Sequence, residues 1–210
     1  MLPVMNTRNA KAPVDDLLTP EKILEAARAQ VRRFGEAKTN VVDIARALGT
    51  SHTSIYRHFR SKAEVFDAII QSTMREEEEL AKAFADAAQP AAERLTGLVM
   101  ALHRRKLESL ANDPEVYELY RRVVDERPDI VRAYAASMTS LVAAILADGV
   151  QRGEFKLDDV NSAAEIVRDA VTVYVHPAHV AAAASAGIFM EPAVNRMMDA
   201  LLLAFRTGLS

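Results

Sequence analysis

Residues 50–62 read TSHTSIYRHFRSK. Two histidines, a tyrosine, three cations and a run of short hydroxyls stand together there, and these types suit recognition more than bond-making. Short donors and acceptors reach the patterned edges of nucleic-acid bases, while cations, hydroxyls and a phenol hold phosphate oxygens. Thr50, His52, Thr53, Ser54, Arg57 and Arg60 fall opposite an apolar set, Ala45, Leu48, Ile55 and Phe59, and so share an outward face. A helix beginning at Ser61 would add its N-terminal amide groups beside Lys62, a ready anion site.

Other chemistry finds little support. The chain contains no cysteine, which removes disulfides, thiolate zinc sites and cysteine nucleophiles. It has no G-x-S-x-G, H-E-x-x-H, Walker or G-x-G-x-x-G pattern. No Glu precedes a His by three residues, so a di-metal carboxylate bundle has no ligands. His176 and His179 are separated by Pro177 and lack a nearby third ligand, so they read as the start of a loop. The expectation is a protein that is not an enzyme and holds no metal or cofactor.

The elements that must position the polar stretch are legible around it. In TPEKILEAARAQVRRF, Thr19 can cap a helix, Pro20 suits its first position, and Ile23, Ala27 and Val31 fall on one face. Gly35 ends it. A short second helix follows, with Asn40 as its cap and Val41, Ile44, Ala45 and Leu48 inward. Gly49 stops it, Thr50-Ser51 offers a new cap, and a third helix is expected from about His52 to Phe59. Ser61-Lys62-Ala63-Glu64 is a capping box opening a long fourth helix that ends near Pro90. Two short helices about a Gly-containing turn outline a helix-turn-helix.

Beyond Pro90, helical patterns run at about 90–112, 114–125, 128–151, 158–175 and 192–207. Gly149 and Gly153 read as a helix end, and HPAHVAAAASAGIFMEP remains ambiguous between helix and loop. REEEE at 75–79 reads as a solvated face. The chain is therefore all-α, divided into an arm (1–18), a helix-turn-helix part (19–64) and a larger helical body (65–210). The 210 residues carry a net charge of −3, split unevenly. Residues 1–64 hold 11 Lys/Arg against 7 Asp/Glu, and the remainder 15 against 22. A basic head on an acidic body fits a nucleic-acid-facing head. No apolar run reaches the roughly 18 residues of a membrane span, and the N-terminus does not read as a signal peptide. A cytoplasmic protein with no membrane partner is the expectation.

The stretch VVDIARALGTSHTSIYRHFRSKAEVFDAI resembles the N-terminal signature of the tetracycline-repressor (TetR) family of bacterial transcriptional regulators. Ile44, Ala45, Gly49, Ser51, Tyr56, His58, Phe59, Ser61 and Lys62 carry the resemblance, which covers about residues 20–70. It implies that Tyr56, His58 and Lys62 touch phosphates, while His52, Thr53, Ser54 and Tyr56 reach bases. The linker FGEAKTNVVDI departs from the family: it is shorter than usual and lacks the customary Gly-aromatic pair.

The resemblance also implies a homodimer on a palindromic DNA operator, with half-sites about 34–36 Å apart or more, and a repressor released by a small-molecule effector. Apolar stripes at 158–175 (Ala163, Ile166, Val167, Ala170, Val171, Tyr174) and 192–207 (Val194, Met197, Met198, Leu201, Leu202, Ala204, Phe205) could form the dimer face. Candidate pocket residues are Met100, His103, Tyr117, Tyr120, Tyr134, Met138, Tyr174 and His176, which mix apolar bulk with polar handles. The competing reading is a helical small-molecule carrier or protein-interaction module without sequence-specific DNA binding.

Overall fold

The computed structural model describes residues 18–208, so the arm expected over 1–18 lies outside the described residues except for Leu18. The described residues form ten helices and no strand. They divide into two compact units, with the boundary between Ile69 and Ile70.

The first unit holds α1 (Pro20–Phe34), α2 (Val41–Ala47), α3 (His52–Tyr56) and the start of α4 (Lys62–Ala85). Thr19 caps α1 by accepting the Lys22 N–H at 3.3 Å, and Gly35 ends it at φ 76°, where a side chain would be strained. The core is the predicted stripe of Ile23, Ala27 and Val31 closed by Val41, Ile44, Ala45, Ile55, Phe59, Val65 and Phe66. The short linker after α1 is closed without a Gly-aromatic pair, because buried Thr39 donates its hydroxyl to the Gly35 carbonyl at 2.8 Å. Asn40 does not cap α2 with its side chain. The polar contact of that first turn comes instead from Asp43, which pairs with Arg46 at 2.9 Å.

In the second unit, α5 (Ala91–Asn112) is the central helix. It touches α6 (Pro114–Glu126), α7 (Pro128–Gln151), α8 (Val160–Val175), α9 (Pro177–Ser185) and α10 (Glu191–Thr207). Proline stands in the first two positions of α6, α7, α9 and α10, where its missing N–H has no helical partner to lose. Buried Arg94 pairs with Asp148 of α7 and donates to the Ala85 carbonyl at 2.8 Å, tying three helices at one end. The ambiguous segment after His176 is helical: His176 Nδ1 accepts the Ala178 N–H at 3.3 Å, and Gly187 at φ 68° closes the segment.

Gly149 does not mark a helix end. It lies inside α7 where Phe155 and Ala91 come against the backbone, and the α7 end is turned by Gly153 at φ 74°. One helix, α7, is long and apolar enough to cross a membrane by length and composition, with a mean hydropathy of 1.6 over its best window, contrary to the sequence expectation. Its apolarity has a local account. Ile130, Val142, Ile145 and Leu146 are buried in unit 2, while Val131, Tyr134, Ala135 and Met138 line an internal cavity.

Candidate nucleic-acid interface and ligand cavity

α3 is shorter than expected. It ends at Tyr56, and Arg57 and His58 form a turn, with the His58 and Phe59 amides both donating to the Ile55 carbonyl. Ser51 caps it, accepting the Ser54 N–H at 3.1 Å, and Gly49 at φ 65° makes the preceding turn. His52, Thr53, Tyr56, Arg57, His58 and Arg60 are exposed, and Thr50 is half-buried at the turn. The His52 and Tyr56 rings meet edge-on at 6.2 Å, which steadies both on the outer surface.

Ser54 departs from the prediction. It is 4% exposed, and its hydroxyl lies 3.0 Å from that of Ser51, because positions 54 and 55 together face the core. It serves the cap and does not stand on the outward face. Lys62 opens α4 half-buried, its Nζ 5.2 Å from the centre of the Phe66 ring. The capping box forms with one shift: Glu64 N–H donates to Ser61 Oγ at 3.1 Å, while the Glu64 carboxylate accepts from Arg60 N–H.

The second unit encloses a cavity of about 270 Å³ among α4, α5, α6, α7, α8 and the start of α9. Of the eight candidate pocket residues, Tyr120, Tyr134, Met138 and His176 line it. The other four candidates do not. Met100 borders a separate surface groove toward α10. His103 is wholly buried with Nδ1 2.8 Å from the Tyr174 carbonyl, and its Nε2 has no partner among the described residues. Tyr117 donates its hydroxyl to the Pro177 carbonyl at 2.8 Å, and burial pushes its pKa up to about 12. Tyr174 packs against the core of the unit. On α5 the wall is made by Leu98, Val99, Leu102 and Lys106, so Met100 and His103 belong to other faces of the helix.

The sequence reading missed the polar centre of this wall. Glu77, assigned to a solvated face, is 1% exposed and forms an ion pair with Lys106, itself 3% exposed. Lys106 also donates to the Tyr120 hydroxyl at 2.9 Å, and Tyr134 donates to Glu77 Oε2 at 2.6 Å. Burial lowers the pKa of Lys106, opposed by the Glu77 charge, and raises both tyrosines well above their usual value. The signal was present: Ile70, Met74, Glu77 and Ala81 form one buried stripe, as do Leu95, Leu98, Leu102 and Lys106. In each stripe one charged residue takes an apolar place, and the two charges are opposite.

Residues 23–69 match the family description "Bacterial regulatory proteins, tetR family", and residues 91–194 match "Tetracyclin repressor-like, C-terminal domain". The chain belongs to the TetR family. Among its TetR-family relatives, the HTH-type transcriptional regulator TtgR of Pseudomonas putida is 37% identical over 65 residues. That match spans 31% of this chain and 31% of TtgR. The HTH-type transcriptional repressor KstR2 of Mycolicibacterium smegmatis is 27% identical over 158 residues, 74% of this chain and 77% of KstR2. In fold, this TetR-family chain is similar to FadR of Bacillus subtilis, solved in complex with stearoyl-CoA. That likeness has a TM-score of 0.59 at 17% identity and covers 91% of this chain and 100% of FadR.

Proposed function

We propose that this protein is a homodimeric, sequence-specific DNA-binding regulator, a repressor released when a small molecule occupies the unit 2 cavity. The observation that carries the reading is the outward set His52, Thr53, Tyr56, Arg57 and His58 on and after a capped α3, inside the region matched to the TetR family. Thr53 and Tyr56 stand where a recognition helix meets base edges, with His52 steadied against Tyr56 and Thr50 at the turn. Arg57, His58 and Lys62 stand where phosphates flank a groove. Such a protein works in the cytoplasm, where bacterial DNA is.

A single recognition helix reads too few base pairs to be selective, so a dimer is part of the proposal. Most of the predicted apolar stripes are consumed within the protomer: Val194, Met198, Leu202 and Phe205 of α10 and Ala163, Val167 and Val171 of α8 are buried. Ile166 of the predicted stripe stays exposed, and with it Val173 on α8 and Leu203 on α10, which the stripes did not include; together they make an apolar surface suited to a partner copy. KstR2 is described as a repressor, and the FadR structure holds an acyl-CoA. Both support a regulator with a ligand-responsive body. An effector acts by its differential affinity for the DNA-competent and released states.

The test is selection of bound duplexes from random DNA by the purified protein at physiological salt. A palindromic consensus is expected. No enrichment, with or without cavity ligands, would overturn the reading in favour of a helical carrier or protein-interaction module.

A further inference from the structure

The hydrogen bonds at the polar end of the cavity can be counted atom by atom. A lysine ammonium has three N–H donors. One of those on Lys106 goes to Glu77 Oε1 and one to the Tyr120 hydroxyl at 2.9 Å. Both phenolic protons turn to the same carboxylate, Tyr134 at 2.6 Å and Tyr120 at 3.5 Å from Glu77 Oε2. The Glu77 oxygens are thus occupied by donors, and the third N–H of Lys106 has no hydrogen-bond acceptor among the described residues, with Nζ 4.3 Å from the centre of the Tyr120 ring at the cavity it lines. His176, also on the wall, accepts the Ala178 N–H through Nδ1, so its neutral ring carries the proton on Nε2 and offers no acceptor. What this end lacks is an acceptor.

Charge narrows the choice further. Lys106 and Glu77 cancel each other, both almost wholly removed from water. A ligand carboxylate would bring a second anion to a cation already paired, and a ligand amine would bring a cation and donors to a donor end. Either leaves an uncompensated charge in an apolar enclosure. The rest of the wall is mostly aliphatic, with Leu98, Val99, Leu102, Met138, Val142 and Val171. Its other polar members are already engaged: Thr139 and Thr172 donate their hydroxyls to the Ala135 and Arg168 carbonyls, and Arg168 is paired with Asp169. At about 30 Å³ per water-sized group, 270 Å³ holds on the order of nine or ten non-hydrogen atoms.

We propose that the cavity selects an uncharged molecule of about ten non-hydrogen atoms, with an aliphatic body and a single carbonyl-type acceptor at one end, bound by Lys106. The proposal rests on the reading of this cavity as the effector site and names the class of effector it takes.

Three probes of one length separate the possibilities by calorimetry on the full chain at pH 7.5: 2-nonanone, nonanoate and nonylamine. The ketone should bind at least about tenfold more tightly than either charged probe, and Val171→Trp, which fills the cavity, should abolish its binding. Glu77→Gln leaves the Lys106 charge uncompensated, so nonanoate should gain at least about tenfold relative to the ketone. The three-probe comparison on the unaltered chain decides the matter even where Glu77→Gln does not fold. Nonanoate or nonylamine binding as tightly as the ketone overturns the proposed selectivity and leaves the effector site standing. No binding by any probe overturns the site and the proposal together.

Discussion

Replacing Gly149 with alanine tests the packing that frames the cavity. A Cβ built there stands 2.8 Å from the Ala91 Cβ and 2.5 Å from Phe155 Cε2, with Cδ2 of the same ring also in the way. Neither neighbour can retreat. Ala91 is fixed to the first turn of α5, and the Phe155 ring is buried edge-on against buried Phe205, 6.0 Å away. Overpacking of this kind costs about 1–3 kcal/mol, while exchanging glycine for alanine inside a helix returns about 0.8–1 kcal/mol. With both neighbours fixed the cost falls in the upper part of that range, about 2–3 kcal/mol, so a net loss of about 1–2 kcal/mol follows, which for a chain of this size lowers Tm by roughly 2–8 °C. Gly97→Ala is the matched control. Its Cβ meets Phe84 at 2.7 Å, but only the far end of a half-exposed ring, which can swing aside. That variant should stay within about 0.5 kcal/mol of the parent, a value typical of tolerated substitutions. Thermal unfolding followed by circular dichroism reads both. If Gly149→Ala leaves Tm unchanged or raises it, the close approach of α5, α7 and the Phe155 segment is wrong.

Lys62→Ala should weaken DNA binding on every sequence and reduce the slope of log K against log salt by about one; an unchanged slope would exclude a phosphate contact. Thr53→Ala should change base preference in the duplex selection, whereas Ser54→Ala, which removes the partner of Ser51, should lower Tm and leave the consensus alone. Lys106→Met strands the Glu77 charge and should cost about 3–5 kcal/mol, and Lys106→Met with Glu77→Leu should recover most of it. If the double variant is no better than the single one, the ion pair is not the interaction at stake. Burial holds His176 below its ordinary value, helped by His179 and Lys106 and opposed by Asp125. The unfolded chain therefore takes up the proton first, so this contribution is complete above about pH 6.5 and is lost as pH falls through the lower folded value. Protonation of Nδ1 also removes the α9 cap. Tm should fall more steeply below about pH 6.5 in the parent than in His176→Asn, and parallel curves would refute the assignment.

The head was legible because its signals are local. Thr19, Gly35, Ser51 and the Ser61–Glu64 box each act within one turn of chain, and a sequence displays such turns directly. Asn40 shows the limit, since an acceptable capping residue does not oblige the side chain to cap. Ser54 shows another: a five-residue helix has so little circumference that one residue separates the outward face from the core. The segment after His176 was ambiguous because Gly187 stands inside it; α9 starts at Pro177 and ends at Ser185, before that glycine. The cavity was half legible for a different reason. Which of two adjacent faces of α5 looks inward depends on how the other helices of the unit lie against it, and no local pattern carries that information. Glu77 was misread because four consecutive glutamates look uniform, although only one of them falls on the stripe of Ile70, Met74 and Ala81.

A ligand cavity in the body also bears on how long each copy of the protein lasts. A molecule that binds the folded protein and not the unfolded chain stabilises it by mass action. A ligand at about a hundred times its Kd adds about 2.7 kcal/mol and cuts the unfolded population about a hundredfold. Proteases draw on that population. On the proposed function, the molecule that takes the regulator off DNA would therefore also slow its destruction, and copies would accumulate while idle. Once the molecule is consumed, silencing would resume from an enlarged pool.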